Sequence, residues 1–249
     1  MLRRLKTDVL TQLLPKRRLV QEIDWDDKVY RELMIPVMES VRSLKAMTDN
    51  SSRAILEDSI CQRERQATGI AKAPYVAAFV RALLEGGEVV LLFAHHHAVM
   101  DIFKKELKAH KPAFITGRET DQQKDRSVSA FMNGDTNLCC ISLRAASGLN
   151  LQRAGCVVFG ELDWSPAVHS QAEDRAHRIG QVDSLLCYYL VSPRGSDQDM
   201  QEALGLKVSQ FIGLMGDQVP TREEQFLSQS MARERIHELV ERLSKNLEG

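Results

Sequence analysis

Apolar positions along the chain change period twice. Near the N-terminus Leu2, Leu5, Val9 and Leu13 recur at helical spacing until Pro15 stops the stripe. Helical spacing returns over 24–66, where Leu33, Val37, Val41 and Leu44 fall three and four apart. Asp24 or Asp26 is placed to cap the first helix there, and Asn50 to Ser52 a second. The segment 68–74 reads as a turn into a core domain. Pro74 then suits the first position of a helix running through Tyr75, Phe79 and Leu83 to the Gly86-Gly87 terminator.

Beyond those glycines, short uninterrupted apolar runs alternate with helical patterns. Strands are expected at 88–94, 113–116, 137–143, 156–162 and 185–191, and helices near 99–110, 120–132 and 167–179. Strands that are apolar throughout, separated by helices, predict an α/β fold with a parallel sheet covered on both faces. Helical additions flank it at both ends. Gly195 opens a helix containing Met200, Ala203 and Leu204, and a stripe of Ile236, Leu239, Val240 and Leu243 marks a last helix over 221–247. The division expected is 1–23 linker, 24–70 helical insertion, 71–215 core domain and 216–249 C-terminal helix.

Composition narrows the chemistry only slightly. With 249 residues, 43% hydrophobic and 27% charged, the chain has the profile of a globular domain that needs no staples. No membrane span or secretory leader is read from it, so an intracellular setting is expected. Five cysteines, odd in number and without CxxC spacing, read as small buried hydrophobes in a reducing compartment. A net charge of −1 argues against a large electrostatic footprint on nucleic acid. The first twenty residues are nevertheless basic, with Arg3, Arg4, Lys6, Lys16, Arg17 and Arg18 against Asp8.

In parallel sheets ligands gather where strands end, so the residues just after each strand carry the interest. Read as a helix, 171–181 sets Gln171, Arg175 and Arg178 on one face and ends at Gly180. Two guanidiniums on one face ask for an anion, and the planar fork of arginine grips two phosphate oxygens at once. The bland reading is a solvated or salt-bridged face, with Glu173 and Asp174 within reach as partners. Three consecutive histidines, His95 to His97, do not converge on one ion from a strand end, so no metal site is expected. Ser142 heads a stretch of small residues that would let backbone approach a phosphate. Thr116 or Thr120 would cap the next helix, and Arg126 reads as a brace to a carboxylate.

Several of these stretches resemble motifs of the Snf2 family of DNA-dependent ATPases, which clamp ATP between two RecA-like lobes. Residues 171–181 match QAxDRxHRIGQ, and the first twenty resemble the LRRxKxDV…LPxK segment that joins the lobes. Residues 93–101 are similar to the FAHHxxVxD of the annealing-helicase branch, and 161–166 to its ELxWxP. From Ser142 the chain resembles S-x-x-A-[GA]-x-x-G-L-x-[LF], although it is one residue shorter before Gly148 and lacks the glycine pair.

The resemblance implies a second RecA-like (P-loop NTPase-type) lobe. Arg178 would be an arginine finger with Arg175 beside it, and Gln171, Gly148 and Asn150 would face the nucleotide. Ser142, Arg144, His95, His96, Gly117 and Arg118 would meet the DNA backbone. Glu161 or Asp163 would orient the arginines, and the helix after Gly195 would return toward lobe one. ATP with Mg2+ is the implied cofactor, and the metal would be held by the first lobe. Double-stranded or forked DNA and that first lobe are the implied partners, in a nucleus or a bacterial nucleoid. The sequence contains neither GxxxxGK[ST] nor a DEAH-like quartet, so hydrolysis by this chain alone is not expected. A stand-alone DNA-binding or regulatory module is the alternative reading.

Overall fold

A strand that the apolar pattern does not announce opens the fold: β1 (Lys16–Glu22). The apolar runs then supply β2 (Val90–Ala94), β3 (Ala113–Ile115), β4 (Leu138–Ser142), β5 (Cys156–Phe159) and β6 (Leu185–Val191). The computed structural model describes residues 16–145, 148–178 and 184–204. Its six strands form one parallel sheet in the order β1-β6-β5-β2-β4-β3. The charges of Lys16, Arg17, Arg18 and Glu22 suit β1 to the sheet edge, where it pairs with β6 from Lys16 opposite Leu185 to Glu22 opposite Val191.

Side chains of β2 alternate between two buried layers. Leu91 and Phe93 join Phe131, Ile141, Phe159 and Tyr189, whereas Val90, Leu92 and Ala94 join Val76, Val80, Phe103 and Val158. Helices therefore cover both faces, as the uninterrupted apolar runs predict. The chain fills one side of β2 with β3 and β4, then crosses to the other for β5 and β6. Loops leaving β2, β4 and β5 diverge at that reversal, which is where a parallel sheet opens a crevice.

The helices are α1 (Asp27–Lys45), α2 (Asn50–Glu85), α3 (His97–Glu106), α4 (Asp121–Asn133), α5 (Pro166–Glu173) and α6 (Ser196–Ala203). Asp26 caps α1 by accepting from the N–H groups of Lys28 and Val29, each at 3.0 Å. Asp49 caps α2, one residue ahead of the predicted Asn50 to Ser52, by accepting from Ser52 N–H at 2.7 Å. Met34, Val37, Val41 and Leu44 of α1 pack on Ile60, Cys61 and Ala67 of α2, so Met34 takes the place expected of Leu33.

The turn predicted at 68–74 does not form. Instead α2 continues through Pro74 to Glu85, and the 70/71 boundary falls inside one helix. A proline inside a helix costs about 3 kcal/mol or more by itself. Burial of Ala73, Val76, Ala77 and Val80 against the sheet offsets it. One window of α2 matches a membrane span in length and composition, but half of it is buried inside the protein, as in a core helix.

The C-terminal part of α2 is also tied to α6. Lys72 is fully buried and donates to Asp197 Oδ2 at 2.5 Å and to the Leu190 carbonyl at 2.9 Å, while Ser196 N–H donates to Thr68 Oγ1 at 3.2 Å. The predicted stripe over 1–13, Pro15, Gly180, Gln181 and the helix over 221–247 lie outside the described residues.

Candidate functional site

At the carboxyl end of β2 the chain turns into α3 through His95 and His96. Glu161, just after β5 and 2% exposed, organises this turn. Its Oε2 accepts from the backbone N–H groups of His95 and His96 at 2.7 and 2.8 Å, and its Oε1 lies 2.6 Å from His96 Nδ1. Burial pushes the Glu161 carboxyl up, yet the His96 ring and these two amides hold it below the usual carboxylate range. Burial, with Arg65 nearby, lowers His95 to about 4, so its ring is neutral at pH 7. Space for that buried carboxylate comes from Gly69 of α2, because a Cβ there would collide with Glu161 Oε1.

Around this turn lies a cleft of about 520 Å³ at the strand ends, lined by His95 and His96 after β2, Thr116 and Gly117 after β3, Ser142 at the end of β4 and Arg144 beyond it. Glu119 shapes the second wall, accepting from Thr116 N–H at 2.6 Å, Thr116 Oγ1 at 2.9 Å and Gly117 N–H at 3.0 Å. Gly117 adopts a φ of 89°, which favours glycine. Thr120 caps α4 in a capping box with Gln123. Gln66 of α2 also reaches the cleft, a contribution from the helical insertion that no motif in the sequence suggests. Arg118 lies outside the cleft wall and pairs with Asp101 at 2.7 Å.

The arginines follow a shorter helix than predicted. Regular α5 ends at Glu173, and the chain tightens, with Arg175 N–H donating to Ala172 O at 3.1 Å and Ala176 N–H to Glu173 O at 3.0 Å. The Arg175 carbonyl is taken by Leu151 N–H at 2.9 Å. That bond draws the chain out of the helix and joins the β4–β5 connection to the arginine turn. One connection therefore begins in the cleft at Ser142 and passes the exposed Gly148 and Asn150 to end against Arg175.

Glu173 and Asp174 were the carboxylates within reach of the arginine pair. Glu173 instead faces inward and is fully buried. It accepts from Arg18 Nε at 2.7 Å, Arg18 Nη2 at 2.6 Å and Tyr189 Oη at 2.7 Å, with Lys16 Nζ at 3.1 Å. Burial would raise this carboxyl, but Arg18 foremost and Lys16 and Tyr189 after it lower it to about 2. Arg178 and Gln171 are exposed, and Arg178 Nε makes a long 3.4 Å bond to the Asp174 carbonyl. Arg175 is half-buried, and its Nε is enclosed with no hydrogen-bond partner among the described residues.

Other expectations change. Glu161 and Asp163 do not orient the arginines: Glu161 serves the histidine turn, and Asp163 pairs with Arg65 at 3.2 Å and accepts from Ser165 N–H at 3.0 Å. Arg126 is exposed and braces no carboxylate among the described residues. Trp164 packs against the core.

Residues 75–180 match the helicase conserved C-terminal domain. Over 210 residues the chain is 36% identical to the SWI/SNF-related matrix-associated actin-dependent regulator of chromatin subfamily A-like protein 1 of Bos taurus, covering 80% of this chain and 21% of that protein. Over 197 residues it is 33% identical to the DNA annealing helicase and endonuclease ZRANB3 of Homo sapiens, covering 77% and 18%. The chain thus spans about a fifth of the length of these relatives. The C-terminal part of the Fun30 ATPase domain superposes with a TM-score of 0.63 at 17% identity, over 91% of this chain and 98% of that one. The Sulfolobus solfataricus SWI2/SNF2 ATPase core in complex with dsDNA gives 0.60 at 17%, over 88% and 49%.

Proposed function

The chain is a helicase C-terminal lobe of the Snf2 family, and from that premise we propose that it is the second motor lobe of an ATP-dependent double-stranded-DNA translocase. The observation that carries the reading is that Glu173 is committed to Arg18 and Tyr189, which leaves Arg175 and Arg178 without carboxylate partners among the described residues. Two guanidiniums three positions apart, without a carboxylate partner among the described residues, suit a polyphosphate.

ATP, carried by a first lobe, supplies the phosphoryl group that is transferred to water. This lobe's residues bind and orient. Arg178 meets the terminal phosphate as an arginine finger, Arg175 stands beside it with its enclosed Nε, and Gln171, Gly148 and Asn150 border the nucleotide. Among the described residues no group of three or more His, Cys, Asp or Glu side chains could hold a metal ion, and none is given a part in holding Mg2+. On the same rim, Ser142, Arg144, Gly117 and the neutral His95, with His96 beside it, contact a DNA strand through its backbone, and Arg118 adds charge outside the cleft. Phosphate contacts of this kind tolerate sequence and weaken with salt. The solved double-stranded-DNA complex of a similar ATPase core supports this choice of ligand, and the annealing-helicase relatives support a motor that works on DNA inside the cell.

The test is DNA-stimulated ATP turnover by the two-lobe protein that contains this chain. Arg178→Ala is expected to lower kcat by about 10³-fold while ATP affinity stays within a few-fold. Turnover near the unsubstituted level would refute the finger role. Arg144→Ala should leave unstimulated turnover unchanged and weaken DNA binding, with a shallower salt dependence by about one phosphate contact.

A further inference from the structure

The chain enters the fold beside the arginine turn. Arg18 and Glu173 are 155 positions apart in sequence, yet the guanidinium of one grips both carboxylate oxygens of the other. Lys16, two residues earlier on β1, adds a second cation to the same carboxylate, and Tyr189 on β6 donates its hydroxyl. A parallel ladder holds β1 against β6 over its full length, so the cations sit at fixed heights on the sheet edge. Glu173 is also the last helical residue of α5, and its carbonyl accepts the N–H groups of Ala176 and His177 at 3.0 and 2.9 Å. One residue thus fastens the incoming strand through its side chain and winds the arginine turn through its backbone. Only Asp174 separates it from Arg175.

We propose that Glu173, held by Arg18 and Tyr189, is a positioning residue that sets the arginine pair and ties its placement to the strand by which the chain enters the lobe. This rests on the motor-lobe reading for its consequence in catalysis, but the mechanical tie can be tested without it. A displacement of β1 along β6 would carry Arg18 with it and pull on the end of α5. An ion pair with no role beyond stability would lower the melting temperature of the lobe and leave turnover per folded molecule untouched. A positioning pair changes kcat, because only the alignment of the arginines with the reacting phosphate is lost.

Two measurements decide the matter. In the two-lobe protein with saturating double-stranded DNA, Glu173→Gln is expected to lower kcat by about tenfold or more, and Arg18→Lys and Tyr189→Phe by about three- to tenfold. KM for ATP should stay within about twofold in each. Tyr189→Phe keeps the ring and the ion pair, so it folds even if the charge variants do not. Unchanged kcat in Tyr189→Phe and in every variant that folds overturns the proposal.

In the 249-residue chain without nucleotide or DNA, Arg18→Lys should speed hydrogen exchange of the amides at 175–177 and leave those of α4 as they were. Unchanged exchange at 175–177 overturns the tie as well. Retention of turnover by Arg178→Ala would instead defeat the motor-lobe reading, and the exchange measurement would still judge the tie between β1 and the arginine turn.

Discussion

Gly69 and Glu161 stand 92 positions apart and specify each other. In an exposed helix interior, replacing glycine with alanine stabilises by about 1 kcal/mol. Here the added methyl would strike the buried Glu161 carboxylate, whose oxygens are committed to His95 and His96. Gly69→Ala is therefore expected to destabilise by about 1–3 kcal/mol, a fall in Tm of roughly 3–10 °C. A Tm equal to or above that of the unsubstituted chain would show that the carboxylate has freedom it lacks in the structure. Such pairs are invisible to a reading of the sequence. The ELxWxP resemblance singled out Glu161, but a carboxylate at a strand end does not say which way it turns, and it turns to the histidines instead of the arginines.

Strands and most helices were legible because burial on both faces leaves uninterrupted apolar runs, and all five such runs became strands. Two elements were misread for opposite reasons. Pro74 and Gly69 signalled a turn that the packing of α2 on the sheet overrides. Strand β1 carries too many charges to look like a strand, yet at an edge those charges find partners in α5.

The loop and helix after β5 also respond to pH. His169 on α5 is buried between Phe159 and Tyr189. It accepts from Asp163 N–H through Nε2 at 3.2 Å, and its Nδ1 lies 3.1 Å from the Ser165 carbonyl, which fixes a neutral tautomer. Burial lowers His169 to about 4, with neighbouring charges as lesser influences. The folded form resists a proton that the unfolded chain takes up near 6.5, so stability is complete above 6.5 and falls as the pH drops toward 4. The loss is about 3 kcal/mol by pH 4. Glu173, lowered to about 2, adds a second loss below about 4.5 as its carboxylate is protonated. Chemical unfolding at pH 7.5, 6, 5 and 4.5 should trace the first decline, to which His95, also lowered to about 4, adds in the same direction. Equal stability at 7.5 and 4.5 would contradict the buried neutral imidazole.

Across the whole molecule, chemistry gathers on one rim because a parallel sheet sends all its strand ends the same way. The histidine turn, the Thr116–Gly117 loop and Ser142 form the cleft, and the β4–β5 connection runs from there to the arginine turn. The arginine motif itself was plain in the sequence. Its freedom from Glu173 was not, since that depends on Arg18 arriving from the far end of the chain.

The central claim is that Arg175 and Arg178 favour the phosphoryl group in transit over the nucleotide at rest, which calls for a measurement of transition-state affinity. Binding of ADP with aluminium fluoride to the two-lobe protein on double-stranded DNA provides it. The unsubstituted protein should hold that complex at least about a hundredfold more tightly than ADP alone. Arg175→Ala and Arg178→Ala should each lose most of that advantage and bind ADP normally. Retention of the full advantage by both variants would contradict the claim.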